Sequence, residues 1–209
     1  MAKTQIEIEY IGQEKTYEDV LAYQEACVAQ VLAGGAEKLL MVEHSPVFTM
    51  GTSAKQEDVL NAGNTPVIKT GRGGQITYHG PRQQVIYPII DLTKRKKDIR
   101  WYISELQGWL IDVLAELGVE AFTTDDVGIW VNTPQGEAKI AAIGVRVRKW
   151  VTFHGVALNI SPDLNMYDRI VPCGISDKGV TSLERLGLNT SQKDISNLLI
   201  PSFLERFSL

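Results

Sequence analysis

The 209-residue chain is poor in the residues that build metal and disulfide frameworks: it has two cysteines, Cys27 and Cys173, and three histidines, His44, His79 and His154. A zinc site needs close pairs of Cys or His ligands. The histidines are scattered and form no such pair, so no metal is expected. One disulfide is arithmetically possible, but nothing points to an oxidising compartment, and both cysteines read as free thiols. Long hydrophobic runs are missing as well. No stretch approaches the roughly 18 apolar residues that span a bilayer, and residues 1–12 lack the basic start and apolar core of a signal peptide. No G-x-x-x-x-G-K-[ST] and no dinucleotide fingerprint occurs. Positive charge is not in excess: 21 Lys and Arg stand against 25 Asp and Glu, a net −4, the reverse of a general nucleic-acid surface. The expectation is a cytoplasmic, monomeric chain that engages neither membrane nor nucleic acid.

What is present is ordinary for a globular enzyme: 44% apolar and 22% charged residues. The length allows one good core and a small appended subdomain. Residues 5–11 alternate as a strand. Thr16 with Asp19 resembles a capping box for a helix over 17–32, ended by Gly34-Gly35, with Val20, Gln24, Cys27, Val28 and Val31 along one side. Residues 38–43, 67–70 and 84–90 read as strands. Residues 98–117 form the clearest helix, with Ile103, Leu106, Leu110, Val113, Leu114 and Leu117 as its apolar face. Residues 127–132, 138–150 and 151–160 read as an antiparallel meander, joined in part by the turn Thr133-Pro134-Gln135-Gly136. After residue 162 the chain becomes loop-rich. Thr181 with Glu184 resembles a further capping box, and a last helix over 192–207 is interrupted at Pro201. The whole reads as α+β: a mixed or antiparallel sheet with helices on one face. The body ends near 162, and 163–209 form a small C-terminal subdomain within one catalytic domain.

Candidate chemistry is concentrated in a few places. Cys27 lies mid-helix on an apolar face and reads as a buried, inert small hydrophobe. Cys173 stands in Val171-Pro172-Cys173-Gly174-Ile175, where neither flank suits a helix or inner strand. On that pattern a nucleophile presented to a pocket and a loop cysteine without a role fit equally. Each histidine abuts glycine, proline or a strand end, which fits a turn-bonding role as well as a functional one. In the segment from Gly71 to Pro81, glycines surround Arg72, so backbone N–H groups can approach a ligand closely. A binding loop is favoured there over a plain glycine-rich hairpin. Lys139 lies among the small residues of Ala138-Lys139-Ile140-Ala141-Ala142. If it points inward it can act as a neutral base toward a thiol or as a charged partner of a thiolate; the sequence does not separate the two.

Taken together these segments resemble the octanoyltransferases of lipoate biosynthesis. The resemblance rests on Arg72-Gly73-Gly74-Gln75-Ile76-Thr77-Tyr78-His79-Gly80-Pro81 followed by Gln83, Val85 and Tyr87-Pro88, then Lys139 to Val145, then Phe153-His154-Gly155-Val156-Ala157-Leu158-Asn159, then Ile170 to Gly174, in that order. It implies a fold like the catalytic domain of biotin and lipoate ligases, with no cofactor. It implies an acyl-enzyme on Cys173 with Lys139 acting on that sulfur. The acyl pocket would be lined by Arg72, Gly73, Gly74, Gln75, Ile76, Thr77, Tyr78 and His79, by Ala142, Ile143 and Gly144, and by Gly155, Val156 and Ala157. The implied donor is octanoyl-acyl carrier protein. The implied acceptors are lipoyl domains of 2-oxoacid dehydrogenase complexes and the glycine cleavage H protein.

One position departs from the family pattern. Where His-Gly-Pro-Gly-Gln is usual, this chain has Arg82 in place of the last glycine. If that position needs a positive φ, the side chain costs of order 1 kcal/mol, and the arginine would crowd the pocket or add a cation to it. Lys94-Arg95-Lys96-Lys97 with Arg100, and Arg146, Arg148 and Lys149, are candidate docking patches for acidic partners, or simply solvated surface. The alternatives to acyl transfer are an ATP-dependent ligase of the same fold, which needs no cysteine, and a cysteine thioesterase.

Overall fold

The computed structural model describes residues 6–171 and 179–208. In chain order its strands are β1 (Ile6–Lys15), β2 (Glu37–His44), β3 (Val47–Met50), β4 (Val67–Lys69), β5 (Ile76–His79), β6 (Gln83–Ile89), β7 (Ala121–Phe122), β8 (Ile129–Thr133), β9 (Gly136–Arg148), β10 (Val151–Asn159) and β11 (Gly179–Val180). The α-helices are α1 (Tyr17–Leu32), α2 (Ile99–Glu116) and α3 (Gln192–Phe207). The main sheet runs β1-β2-β6-β10-β9-β8-β7 with β11 beside β9, and a second, smaller sheet runs β4-β3-β5. The β1/β2, β3/β4 and β9/β11 pairs are parallel and the rest antiparallel, so the architecture is α+β with mixed sheets.

Local chemistry explains most boundaries. The Thr16 hydroxyl accepts the Asp19 N–H at 3.3 Å and starts α1 where the sequence placed it. The β9–β10 hairpin turns through Lys149 (φ 49°) and Trp150 (φ 71°), two left-handed residues whose twist matches the flanking strands. Successive side chains of β2 point to opposite faces of the sheet. Leu39 and Met41 therefore join the core under α2 and α3, while Leu40 and Val42 join the one under α1. The helices thus cover both faces of the main sheet, not one face as expected, because β2, β6 and β10 are apolar at odd and even positions alike.

Three further expectations are corrected. On α2 the buried set is Tyr102, Leu106, Trp109, Leu110, Val113 and Leu114; Ile103 and Leu117 are only half-buried, because the two large rings turn the helix toward α3. The helix α3 runs unbroken through Pro201. An interior proline costs about 3 kcal/mol, and here Ile195, Leu199, Phe203 and Phe207 offset it by burying themselves in the same core as the sheet. The expected cap at Thr181 does not form: its backbone instead donates to Lys139 O at 3.0 Å, and the capping box is made by Ser191 and Asp194 at the start of α3. No helix among the described residues is long and apolar enough to cross a membrane.

Candidate active site

Between the α1 face of the main sheet and the small sheet lies a cavity of about 280 Å³. The β9/β10 register sets its long direction. Ala142 pairs with Ala157, Gly144 with Gly155 and Val145 with His154, so the cavity runs from Lys139 and Asn159 past these small residues to Tyr17, Tyr87 and His154. From Lys139 to Gly144 the strand advances roughly 16 Å at about 3.3 Å per residue. Ile76, Thr77, Ile143 and Val156 contribute to the walls.

Lys139 is 7% exposed. Its Nζ donates to Val127 O at 3.2 Å and stands 4.7 Å from the centre of the Trp130 ring. The strand β11 is tied to the same spot. Gly179 and Val180 pair with Ala138 and Lys139, and Asn159 Nδ2 donates to Thr181 O at 2.9 Å. On the other side, Val171 N–H donates to Asp58 O at 2.8 Å. Cys173 lies outside the described residues; these contacts hold the described chain on either side of it.

Arg72 is also buried. Its guanidinium donates to Thr49 O at 2.6 Å, to Thr49 Oγ1 at 2.9 Å and to Gly73 O at 2.9 Å. Gly144 lets it approach: a Cβ there would stand 3.1 Å from Arg72 Cδ. Gly155 is held more tightly still, since a Cβ would strike Ile86 O. Of the residues expected in the pocket, Arg72, Gly74, Gln75, Ile76, Thr77, His79, Ala142, Ile143, Gly144, Gly155, Val156 and Ala157 line the cavity, as does Lys139. Gly73 and Tyr78 do not. The Gly73 N–H closes the loop onto Val145 O at 2.9 Å, and the Tyr78 ring packs with Phe48 and Tyr167 under the small sheet.

Around the cavity the structure adds a lining residue the sequence did not mark, Tyr17, and gives partners to several that it did. Tyr17, the first residue of α1, reaches His154 Nδ1 with its hydroxyl at 3.2 Å. Tyr87 bonds His44 Nε2 at 2.8 Å, and the other nitrogen, Nδ1, donates to Lys15 O at 3.1 Å, so the phenol donates to Nε2. Gln83 Nε2 donates to Tyr78 O, Asn159 Oδ1 and Tyr167 OH, which turns Oε1 toward His79 Nδ1 at 2.7 Å and makes that nitrogen the protonated one. The three scattered histidines thus belong to one buried group, with the His44 and His79 rings 5.8 Å apart. The only signal for this in the sequence was their shared setting beside turns. Burial keeps all three neutral, pushing His44 down to about 4, and His79 and His154 to about 3, the last two with added repulsion from neighbouring positive charge. Burial likewise pushes the Tyr17 phenol up to about 12.

Arg82 does have a positive φ, 63°. Its side chain turns away from the cavity to Ser161, and its N–H donates to Glu43 Oε2 at 2.8 Å. It neither crowds the cavity nor adds a cation to it. The basic segments also change meaning. Arg95 is withdrawn into a buried pair with Glu37 at 2.8 Å. Leu92 N–H bonds Trp150 O, which brings the Lys94–Lys97 stretch to the tip of the β9–β10 hairpin. Along β9 that tip is roughly 30 Å from Lys139.

The chain matches the lipoyl protein ligase A/B catalytic domain family over residues 16–204. It is 50% identical to an octanoyltransferase of Paramagnetospirillum magneticum over 194 residues, which is 91% of this chain and 92% of that protein. It is 49% identical to one of Parvibaculum lavamentivorans over 197 residues, 91% of this chain and 88% of the other. Among solved structures, a lipoate-protein ligase A bound with ATP superposes with a TM-score of 0.78 at 20% identity, over 97% of this chain and 85% of the other. A biotin protein ligase from Aquifex aeolicus does so with a TM-score of 0.60 at 12% identity, over 96% and 69%. The fold is therefore that of the lipoate and biotin ligase catalytic domains.

Proposed function

The chain belongs to the octanoyltransferases, an acyltransferase family, and on that premise we propose that it moves an octanoyl group from octanoyl-acyl carrier protein to a lysine of a lipoyl domain through a thioester on Cys173. The observation that carries the reading is Lys139: a buried lysine side chain at one end of a narrow, largely apolar cavity, on the strand to which the chain returns just after Cys173.

In the first half-reaction the Lys139 amine takes the Cys173 proton, and the thiolate attacks the carbonyl carbon of the donor thioester. The bond to the carrier's sulfur breaks, and the Lys139 ammonium protonates the departing thiolate. The octanoyl group is now on Cys173 Sγ, its chain lying along Ala142, Gly144, Gly155 and Ala157. In the second half-reaction the acceptor lysine amine attacks the new thioester. Cys173 leaves as thiolate, an amide forms, and the proton lost by the attacking nitrogen passes to Lys139. Two easier steps replace one difficult one. The thioester is already activated, so the scheme needs no nucleotide. Lipoyl domains of 2-oxoacid dehydrogenase complexes and the glycine cleavage H protein are the acceptors that fit it.

The test is intact mass after mixing with octanoyl-acyl carrier protein, for wild type and Cys173→Ser. The expected result is a hydroxylamine-labile octanoyl adduct on the wild type alone, discharged by a lipoyl domain. A folded wild type that forms no adduct removes the covalent scheme. Free octanoate released without an acceptor would instead identify a thioesterase.

A further inference from the structure

The end of the cavity remote from Lys139 is built unlike its walls. The β10 residues Phe153 and Ala157 face α1, while Val156 and Leu158 belong to the opposite core. By alternation His154 would follow Val156 and Leu158. Instead it has φ 55°, a conformation that disfavours any residue with a Cβ. Its ring lies on the α1 side, edge-on to Tyr87 with centroids 6.3 Å apart and bonded to the Tyr17 hydroxyl.

Two residues of α1 hold it there. Gln24 Oε1 accepts the His154 N–H at 2.8 Å, and Tyr17, stacked on His79 with centroids 6.2 Å apart, supplies the hydroxyl. All three are buried, with 0% exposure for Gln24, 2% for Tyr17 and 1% for His154. His154 Nε2 and Gln24 Nε2 are buried without a hydrogen-bond partner among the described residues.

We propose that Tyr17 and His154, clamped by Gln24, form the end-stop that sets the length of the acyl chain this protein accepts. The inference rests on the acyl-transfer reading above and adds a determinant of specificity to it. Along the walls each added methylene leaves water for apolar surface, worth about fourfold in kcat/KM. At the end-stop the next methylene meets a hydroxyl and an imidazole already bonded to each other. Separating such a pair without replacement costs about tenfold or more. Chains that stop short lose affinity gradually, and chains that overrun are rejected sharply.

The experiment measures kcat/KM for acylation of the whole protein by C6, C8, C10 and C12 acyl-carrier thioesters, reported as ratios within each variant so that the folded fraction cancels. Wild type is expected to show a gradual rise to C8 and a drop of tenfold or more at C10. Tyr17→Ala should raise the C10/C8 ratio at least tenfold. Tyr17→Phe, which keeps the ring, should raise it a few fold. Ala157→Val, a small filling change in the wall, should move the optimum toward C6. If wild type is acylated but Tyr17→Phe and Ala157→Val keep its length ratios, the end-stop assignment is overturned while acyl transfer stands. If wild type accepts no thioester of any length, the transferase reading falls and this inference falls with it.

Discussion

The two faces of the main sheet answer the same demand, burial, in opposite ways. Under α2 and α3 the sheet meets Trp109, Leu110, Val113, Leu199 and Phe203, and the Trp109 and Phe203 rings pack edge-on at 5.0 Å. This side is filled by large apolar side chains. Under α1 the residues are smaller, glycine and alanine recur on β9 and β10, and the space left over is the cavity. There imidazoles, phenols and Arg72 are buried and hydrogen-bonded. A filled face supplies stability and tolerates no chemistry, whereas an incompletely filled face gives up stability for a shaped, polar-tipped space. The candidate site sits on the second face, where small residues leave space between the main sheet and the small one.

Acid should separate the faces most strongly. The three buried histidines on this side ordinarily titrate near 6.5, but in the folded chain near 4 for His44 and near 3 for His79 and His154. Between those limits the unfolded chain binds protons that the native chain refuses. Stability is therefore whole above about pH 6.5 and falls as pH drops toward 4, by about 1.4 kcal/mol per pH unit for each imidazole. Urea midpoints from pH 7 to 4.5 would show the slope, and His44→Gln should make it shallower. A flat profile would break the comparison.

Next comes Lys139→Met, which should slow acyl-enzyme formation by about 10² to 10⁴ in single-turnover mass measurements, with the protein still folded by circular dichroism. On the filled face, Trp109→Ala should cost about 3–5 kcal/mol in denaturant unfolding, by a similar amount at every pH, without changing acyl-length ratios. A change in those ratios would mean that the faces are coupled. The smallest effect belongs to Arg82→Gly. It relieves a residue at φ 63° but loses the contact with Ser161, so a net gain of about 0.5 kcal/mol is expected, with unchanged transfer kinetics.

Much of the fold was legible. The helices α1 and α2 and the strands β8 to β10 follow from caps, turns and apolar spacing, and Cys27 is the buried free thiol its helix position implied. The errors share a cause. Pro201 stays helical and Thr181 is not a cap because each is decided by a distant partner: the core against α3 in one case, the Lys139 backbone in the other. Arg95 read as surface charge because Glu37 is far away in sequence, yet the two meet at 2.8 Å.

The site divides in the same way. The glycine-rich segment, Lys139 and the small residues of β9 and β10 carry a local pattern, and that pattern was enough to mark them. Tyr17 carries none, and the pattern around Tyr87 and His154 marks the residues without saying what they do. The three meet only when α1, β6 and β10 are packed together. Sequence by itself determined the elements, the family and the composition of the cavity walls, because caps, periodicity and close backbone approach act over a few residues. Only the tertiary structure decided which face stayed hollow, which polar groups closed its far end and how Arg82 was turned aside, because those outcomes depend on side chains that meet across the sheet.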